Sequence, residues 1–442
     1  MYSRPETNRG PSVTKQTIDT PEGAGISRLA EGVLFLAPLL SLQKALVMAP
    51  LLSLLSIILL FGMARAPSRW APMGAAFRSQ WPLTGLFAAL ALWILAACFW
   101  SFDALFSLRS LAMLIGTTVG GWVLTVLFAE LPPARQARMV EALAAGLVLA
   151  GLVLLTLGVI ERLCRIDIGR LFLNMDAATT VIAVLLWPTL AWLVRGGRRP
   201  VALVLFLVSL GGVGLAHDLA AKVALAGAGV TWLLARWRPG AVFGAIMVFS
   251  VAGCLLAPLA ALHLPPSQES AEWEWLPSSA HHRLTIWSFT ARHVAEHPLF
   301  GWGFDGARAI PDGKTRLPVA RFKGCPGHGV PVEIPGLSRP APADCVIWEE
   351  QLPLHPHDGW LQIWLELGAV GAGLTAFLLW RILDRLRRRK AEPIARAATA
   401  AALVAGLVVS SVSFGIWQSW WLSTLWGAAA LTAPLLAPAK PK

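Results

Sequence analysis

Apolar residues in this chain form long runs separated by polar segments. Runs of roughly 15–23 residues are long enough for helices that cross the hydrocarbon core of a bilayer. Twelve such runs lie near 29–43, 46–63, 81–99, 110–128, 141–160, 179–194, 201–217, 220–235, 241–262, 360–380, 397–415 and 419–438. The pattern predicts an all-α integral membrane protein with about twelve transmembrane helices. The first two runs can also form one bent element, because only Lys44 and Pro50 interrupt them.

The segment between the ninth and tenth runs is much longer than the other connections. It divides the chain into a disordered cytoplasmic tail (1–28), helices one to nine (29–262), a large outer loop (263–357), helices ten to twelve (358–438) and a short cytoplasmic tail (439–442). Loops of this length are usually functional or disordered. The many prolines between 309 and 357 favour an ordered but irregular lid.

Residues 278–297 of the loop have the period of an amphipathic helix. Ser278 or Ser279 is placed to cap its start, and Pro298 is placed to end it. Trp287, Thr290 and Val294 share one stripe of this helix, which also carries Arg283 near its N-terminal end. Such a helix is expected to lie along the membrane surface and to pack on the spans.

Composition agrees with the membrane prediction. Apolar residues make up 56% of the chain and charged residues only 14%, whereas soluble domains carry about 25% charged residues. The net charge of +12 is best interpreted as the positive-inside bias. With an even number of spans and the N-terminus inside, seventeen basic residues lie in cytoplasmic loops and six in short outer loops. Both termini are therefore expected in the cytoplasm and the large loop outside, and nucleic acid is not an expected partner.

Histidine is confined to the outer side in this topology. The nine histidines are residues 217, 263, 281, 282, 293, 297, 328, 355 and 357. Histidine changes charge most easily near neutral pH, so this distribution predicts that the chemistry takes place outside. Most of them can equally be solvated or hydrogen-bonded loop residues.

The stretch Leu354–Gln362 places a titratable cluster at the boundary between loop and span. Pro356 suits a first helical turn and Asp358 complements the helix dipole, which puts His357 at a helix N-terminus. The dipole there keeps an imidazole neutral and able to accept a proton. The same helix end offers N–H groups to an anion.

Three cations on the predicted outer side, Arg283, Arg308 and Lys222, are candidate ligands for a phosphate. Together with a neutral base they indicate group transfer from a lipid-linked phosphate or diphosphate donor. Other interpretations stay open. Arg283 can anchor a lipid headgroup, Lys222 can snorkel to the interface, and His355 and His357 can bind a metal together with His281 or His282.

Cys325 and Cys345 are the two cysteines of the outer loop, twenty positions apart. In an oxidising compartment they can form a disulfide, and otherwise they remain two free thiols.

His357-Asp358, followed after nine residues by Gly368-Ala369-Val370-Gly371, resembles the signature of the O-antigen ligase and polymerase superfamily. Arg283, Ile286-Trp287 and the run from Pro298 to Phe304 are also similar to that family. The resemblance covers residues 210–375 and extends to the N-terminal half only through architecture. Asp358 departs from the pattern, which more often has Asn, Ser or Gln after the histidine.

The resemblance implies a metal-independent membrane glycosyltransferase with a GT-C-like fold and no cofactor. Such an enzyme moves a glycan from undecaprenyl diphosphate to a sugar hydroxyl on the periplasmic face of the bacterial inner membrane, in lipopolysaccharide biosynthesis. The acceptor is lipid A–core in a ligase and another lipid-linked glycan in a polymerase of O-antigen or exopolysaccharide. Bilayer lipids surround it.

The same resemblance implies roles for individual residues. His357 would activate the acceptor hydroxyl, Arg283 would bind the donor diphosphate, and Lys222 occupies a zone where many members place a basic residue. Arg308 is added as a donor-binding residue and His355 and Asp358 as supporting residues from their positions alone. A polysaccharide transporter or flippase is the alternative from a different class, although the spans hold few central charges for that role.

Overall fold

The computed structural model describes residues 21–437 except 65–69, 166–174, 266–272, 274, 323–324, 335–336 and 338. The α-helices in these ranges are α1 (Pro21–Gln43), α2 (Met48–Ala64), α3 (Trp70–Cys98), α4 (Ala104–Glu130), α5 (Pro133–Cys164), α6 (Met175–Arg195), α7 (Arg199–Leu215), α8 (Leu219–Trp237), α9 (Pro239–Leu262), α10 (Ser278–Glu296), α11 (Gly359–Arg388), α12 (Pro393–Val412) and α13 (Ser419–Leu435). The strands are β1 (Arg316–Ala320), β2 (Pro331–Val332), β3 (Ala341–Pro342) and β4 (Val346–Glu350).

Twelve of these helices coincide with the twelve predicted spans. Within the described ranges, ten are long and apolar enough to cross a membrane. The other two, α7 and α13, have 17 residues each, or roughly 26 Å against a hydrocarbon core of about 30 Å. The prediction of an all-α integral membrane protein is confirmed.

The predicted boundaries differ from the observed ones at several helices. A short 3₁₀ turn, Ala45–Val47, separates α1 from α2, so the first two runs form two helices. α1 begins at Pro21, inside the segment predicted to be a disordered tail; the rest of that segment, 1–20, and the short tail at 439–442 lie outside the described residues. Polar ends extend α3, α5 and α11 beyond their apolar runs.

The centre of the helix bundle is α6, in which almost every residue is buried. It packs against α1, α5, α7, α8, α12 and α13. A helix that is apolar on all sides suits such a position, because every face finds an apolar neighbour. Alanines such as Ala178 and Ala183, both fully buried, allow close approach of the surrounding helices.

The outer loop contains α10, as expected, and two short antiparallel strand pairs. α10 packs on α9 and α11, and its predicted stripe faces inward, with Thr290 and Val294 buried. The predicted serine cap is wrong: Pro277 occupies the N-cap position and no side chain caps the helix.

The segment predicted to be an irregular lid contains these four strands. Arg316 of β1 lies opposite Glu350 of β4, and β2 pairs with β3. Cys325 and Cys345 form a disulfide with their Cα atoms 5.3 Å apart. The lid is therefore held by main-chain pairing and one covalent link.

Gly368 interrupts α11 with φ 64° and ψ −165°, so that residues 359–367 and 369–388 form two helical segments. Residues 298–303 enter the break: the carbonyls of Leu365 and Glu366 accept the N–H groups of Trp302 (2.8 Å) and Gly303 (3.1 Å). Ala369 in turn donates its N–H to the carbonyl of Pro298 at 2.8 Å.

A side chain at position 368 would collide with this inserted segment. A Cβ there would lie 2.3 Å from the carbonyl oxygen of Leu299. Positive φ adds strain for any residue other than glycine. Gly368 is therefore required by the insertion of residues 298–303 into the helix.

We expect Gly368→Ala to destabilise the protein by about 2–4 kcal/mol, because it combines backbone strain with a clash against main chain. Gly373→Ala in the same helix is the matched control, since a Cβ there meets nothing within 4 Å and alanine favours helix. Thermal unfolding of the two purified variants in one detergent measures the difference. Equal melting temperatures would contradict this role for Gly368.

Candidate functional site

The loop that carries His355 and His357 is held between α10, α11 and the connection 413–418 that joins α12 to α13. Trp287 of α10 donates its indole N–H to the carbonyl of Pro356 at 3.0 Å. His357 hydrogen bonds through Nδ1 to the carbonyl of Ser413. The imidazole rings of His355 and His357 lie 4.3 Å apart, so the structure brings this predicted pair together.

The contact with Ser413 determines which ring nitrogen of His357 carries the proton. A carbonyl oxygen only accepts hydrogen bonds, so Nδ1 must be the protonated nitrogen in the neutral ring. Nε2 then holds a lone pair, and no hydrogen bond to it is formed within the described ranges. His357 is thereby prepared to accept a proton at Nε2.

Burial lowers the pKa of His357 to about 4. The hydrogen bond to Ser413 acts in the opposite direction, and the charges of Arg283 and His282 reinforce the decrease. The ring is therefore neutral at physiological pH, as the sequence predicted, although burial and not the helix dipole is the main cause.

The backbone of His357 is held in the left-handed region, with φ 55°. Nδ1 of His355 accepts the main-chain N–H of His357 at 3.3 Å, and the amide of Gln418 lies 3.4 Å from Nε2 of His355. Burial lowers the pKa of His355 to about 3, reinforced by the charges of His357 and Arg308. His355 thus supports the conformation of its neighbour.

Asp358 is the N-cap of α11. One of its carboxylate oxygens accepts the N–H groups of Trp360 (2.8 Å) and Leu361 (3.0 Å). The prediction that this helix end offers those N–H groups to a phosphate is therefore wrong, as is the placement of Pro356 in the first turn, because α11 begins at Gly359. Burial raises the pKa of Asp358 to about 7, against the two N–H groups, which lower it.

Arg283 projects from the second turn of α10 and is half-buried. In the part of the chain that the structure describes, nothing hydrogen bonds to its guanidinium or forms an ion pair with it. Burial lowers its pKa, whereas the charges of Asp218 and Asp176 raise it, and its own charge lowers the pKa of His357. Arg283 is thus a desolvated cation that acts on both the histidine and an acidic pair.

Lys222 lies one turn into α8, after Asp218, which caps that helix through the N–H of Ala220 at 2.9 Å. The Asp218 carboxylate also accepts the hydroxyls of Thr179 (3.1 Å) and Thr180 (3.3 Å). Lys222 is half-buried and has no side-chain partner among the residues whose placement is described. It shares its helix end with the acidic neighbour of Arg283, but no direct interaction joins it to His357.

Arg308 follows the segment that fills the α11 break. Its guanidinium is 3.3 Å from the Asp305 carboxylate and 4.3 Å from the centre of the Phe106 ring. Its charge acts on His355. Each histidine is thus influenced by a different arginine, His355 by Arg308 and His357 by Arg283. The disulfide-linked Cys325 and Cys345 belong to the lid.

Glu366, which the sequence analysis did not single out, connects the elements around this site. It is fully buried in α11. One oxygen accepts the N–H of Asp305 (3.0 Å) and the indole N–H of Trp417 (2.6 Å), and the other accepts the side-chain amide of Gln362 (3.1 Å). Gln362 in turn accepts the N–H of Ile416 at 3.0 Å.

This network fixes the connection that holds His357. Because the Gln362 oxygen is used by Ile416, its NH₂ group must face Glu366, and both oxygens of Glu366 must then accept. Glu366 could have been identified from the sequence as a lone carboxylate inside an apolar run, since such residues usually have a defined partner.

The chain matches known proteins over the region that builds this site. Residues 203–376 match the family model described as O-antigen ligase. A Rickettsia felis protein named "Putative polysaccharide ligase" is 28% identical over 250 residues, which are 57% of this chain and 55% of that protein. Relatives with the same description in Rickettsia typhi and Rickettsia bellii are 27% and 25% identical, covering 61% and 76% of this chain and 60% and 76% of their own.

The chain thus spans a little over half the length of the first two of these relatives. No solved structure matches it. The family match includes Arg283, Arg308 and His357, together with the break at Gly368. The resemblance to the O-antigen ligase superfamily is therefore confirmed.

We expect Glu366→Gln to destabilise the protein by about 1–3 kcal/mol, because one acceptor oxygen becomes a donor that faces an N–H group. The exposed pair of Glu141 with Arg198 supplies the control, and Glu141→Gln should leave stability within about 0.5 kcal/mol. Melting temperature measures stability, and limited proteolysis should show faster cleavage near 298–305 and 413–418 in Glu366→Gln only. Unchanged proteolysis there would exclude the proposed connection.

Proposed function

We propose that this protein is a membrane glycosyltransferase of the O-antigen ligase type. It transfers a glycan from undecaprenyl diphosphate to a hydroxyl of lipid A–core. The observation that carries the proposal is the unbonded Nε2 of a neutral His357 beside Arg283, a desolvated guanidinium without an ion-pair partner among the described residues. The family match over 203–376 gives this geometry its context.

In the proposed reaction the acceptor hydroxyl donates its proton to Nε2 of His357 as its oxygen attacks the anomeric carbon of the donor sugar. A new C–O bond forms while the bond from that carbon to the diphosphate oxygen breaks. Undecaprenyl diphosphate leaves with the bonding electron pair, and Arg283 and Arg308 balance its charge. Side chains alone perform each step, as the resemblance implies.

We further propose that the site faces the periplasm and that the protein resides in the bacterial inner membrane with both termini in the cytoplasm. α11 supports this orientation, because His357 precedes its first residue while Arg385, Arg387 and Arg388 lie in its last turn. Its second helical segment, 369–388, alone spans roughly 30 Å, about the thickness of the hydrocarbon core, so we expect the histidine and the basic cluster on opposite sides of a bilayer. Basic residues concentrate on the cytoplasmic side.

Products that accumulate in a deletion strain should identify the reaction. For a ligase we expect full-length glycan chains on the lipid carrier and none on lipid A–core. Reintroduced His357→Asn should fail to restore attachment, because asparagine tolerates positive φ but is no base. His263→Asn, at an exposed histidine, should restore it fully.

Single repeat units on lipid A–core in that strain would instead identify a polymerase. Attachment restored by His357→Asn at the normal rate would remove the histidine from the mechanism. Equal membrane levels of the two variants, checked by immunoblot, are required for either comparison.

The pH dependence of transfer should reflect the buried histidine. His357 acts in its neutral form, which is present above its pKa of about 4; the rate should therefore fall only as pH decreases through about 4, and not near 6.5. Arg283→Gln removes a cation that lowers this pKa, so the acidic limb should move to higher pH. Asp358→Asn should leave the limb in place. If the unsubstituted protein lost half of its transfer rate near pH 6.5, this assignment of the base would be contradicted.

A further inference from the structure

A cavity of about 610 Å³ opens between the end of α3 and the residues that fill the α11 break. Its lining side chains are those of Trp93, Trp100, Phe102, His297, Phe300 and Trp302. No step of the proposed reaction involves the residues that line this cavity.

Two of the three tryptophan rings that line the cavity are held by hydrogen bonds of their indole N–H groups. Trp93 donates to the carbonyl of Leu367 at 3.0 Å, and Trp302 donates to the carbonyl of His293 at 2.8 Å. Phe102 stacks on Trp302 with ring centres 5.9 Å apart. With both indole N–H groups engaged, these rings present apolar faces, and His297 is the polar side chain of the lining. Such a lining suits hydrocarbon better than a sugar, whose hydroxyls would lose their hydrogen bonds there.

The depth of the cavity also indicates a lipid chain. Its lining residue Trp302 donates its main-chain N–H to the carbonyl of Leu365, and the next residue, Gly303, donates to the carbonyl of Glu366. Leu365 and Glu366 lie six to seven positions into α11, or roughly 10 Å along the helix axis, whereas His357 precedes the helix. The tail of a lipid whose headgroup reaches His357 would therefore lie at the level of the cavity.

Arg308 is linked both to the residues next to the cavity wall and to the histidines. The Arg308 guanidinium lies 4.3 Å from the centre of the Phe106 ring; Phe106 is in the first turn of α4, four residues after Phe102 of the cavity wall, which precedes that helix. Arg308 is exposed, and its charge acts on His355. The order is thus hydrocarbon surface, cation and histidine pair, which is the order of polyprenyl chain, diphosphate and transferred sugar in the donor.

We infer that the aromatic cavity binds the first isoprene units of a polyprenyl diphosphate, with Arg308 placed on the diphosphate. The inference rests on the proposed function and adds the place of the lipid tail to it. It also gives the two cations different places: Arg308 lies on the side of the donor lipid, whereas the charge of Arg283 acts on His357.

Photo-cross-linking tests the site without requiring transfer. The probe is a polyprenyl diphosphate with a diazirine in its first two isoprene units, added to the full chain in phospholipid nanodiscs. We expect labels within 93–102 and 297–302, removed by unlabelled polyprenyl diphosphate but not by excess phosphatidylglycerol. Labels confined to other segments, or equal competition by phosphatidylglycerol, would overturn the inference.

Variants at exposed wall positions supply the kinetic test. Trp100→Ala and Phe300→Ala should each raise the KM for the long-chain donor about tenfold with kcat nearly unchanged, since apolar area is lost from binding. Phe99→Ala and Leu299→Ala are matched controls, because these neighbours are exposed (74% and 59%) but do not line the cavity. The difference should disappear with a donor whose lipid is too short to reach the cavity.

The two tests distinguish this inference from the proposed function. Labelling of the cavity without any glycan transfer would contradict the proposed function and support the lipid site. Transfer without labelling of the cavity would contradict the lipid site alone. A rise in the KM for the acceptor, with that for the donor unchanged, would make the cavity an acceptor site and overturn the inference.

Discussion

A break in a membrane helix leaves main-chain groups that lipid cannot satisfy, and the rest of this structure depends on how that requirement is met. At Gly368 the helical hydrogen bonds of α11 are interrupted. Residues 298–303 supply the missing donors and acceptors. Irregular backbone at membrane depth is stable only when protein satisfies it. Main-chain hydrogen bonds therefore join the large loop to the spans. The loop residues near the break are held in place by the same kind of bond that holds a helix together.

Side-chain hydrogen bonds connect the break in α11 to His357. Glu366, next to the break, binds the N–H of Asp305 on the loop and the indole of Trp417 on the connection between α12 and α13. That connection supplies the Ser413 carbonyl that orients the His357 ring. One buried carboxylate thus links the element carrying Arg308 with the element that sets the tautomer of the base. Its hydrogen-bond partners among the described residues are neutral N–H donors, so its two oxygens act as acceptors.

Individual residues show which features of the site can be predicted from the sequence and which cannot. Spacing and resemblance identify His357 and Arg283 as site residues, and in the structure the charge of Arg283 acts on the His357 ring. Asp358 was treated as an unusual neighbour of the histidine, whereas the N-cap preference of aspartate before an apolar run was a sufficient signal for its observed position. Glu366 and Ser413 carry no motif, because their partners are main-chain groups 50 or more positions away. Local pattern cannot specify such partners.

The sequence by itself determined the number and order of the apolar helices, the amphipathic helix in the outer loop and the chemical character of the candidate site. These features follow from hydrophobic period and length, which are local properties. Only the tertiary structure decided that Gly368 breaks a helix, that residues 298–303 fill the break and that Nδ1 is the nitrogen of His357 that bonds to Ser413. The physical reason is that hydrogen-bonding capacity is encoded at each residue, but the partner that satisfies it is set by packing between distant segments.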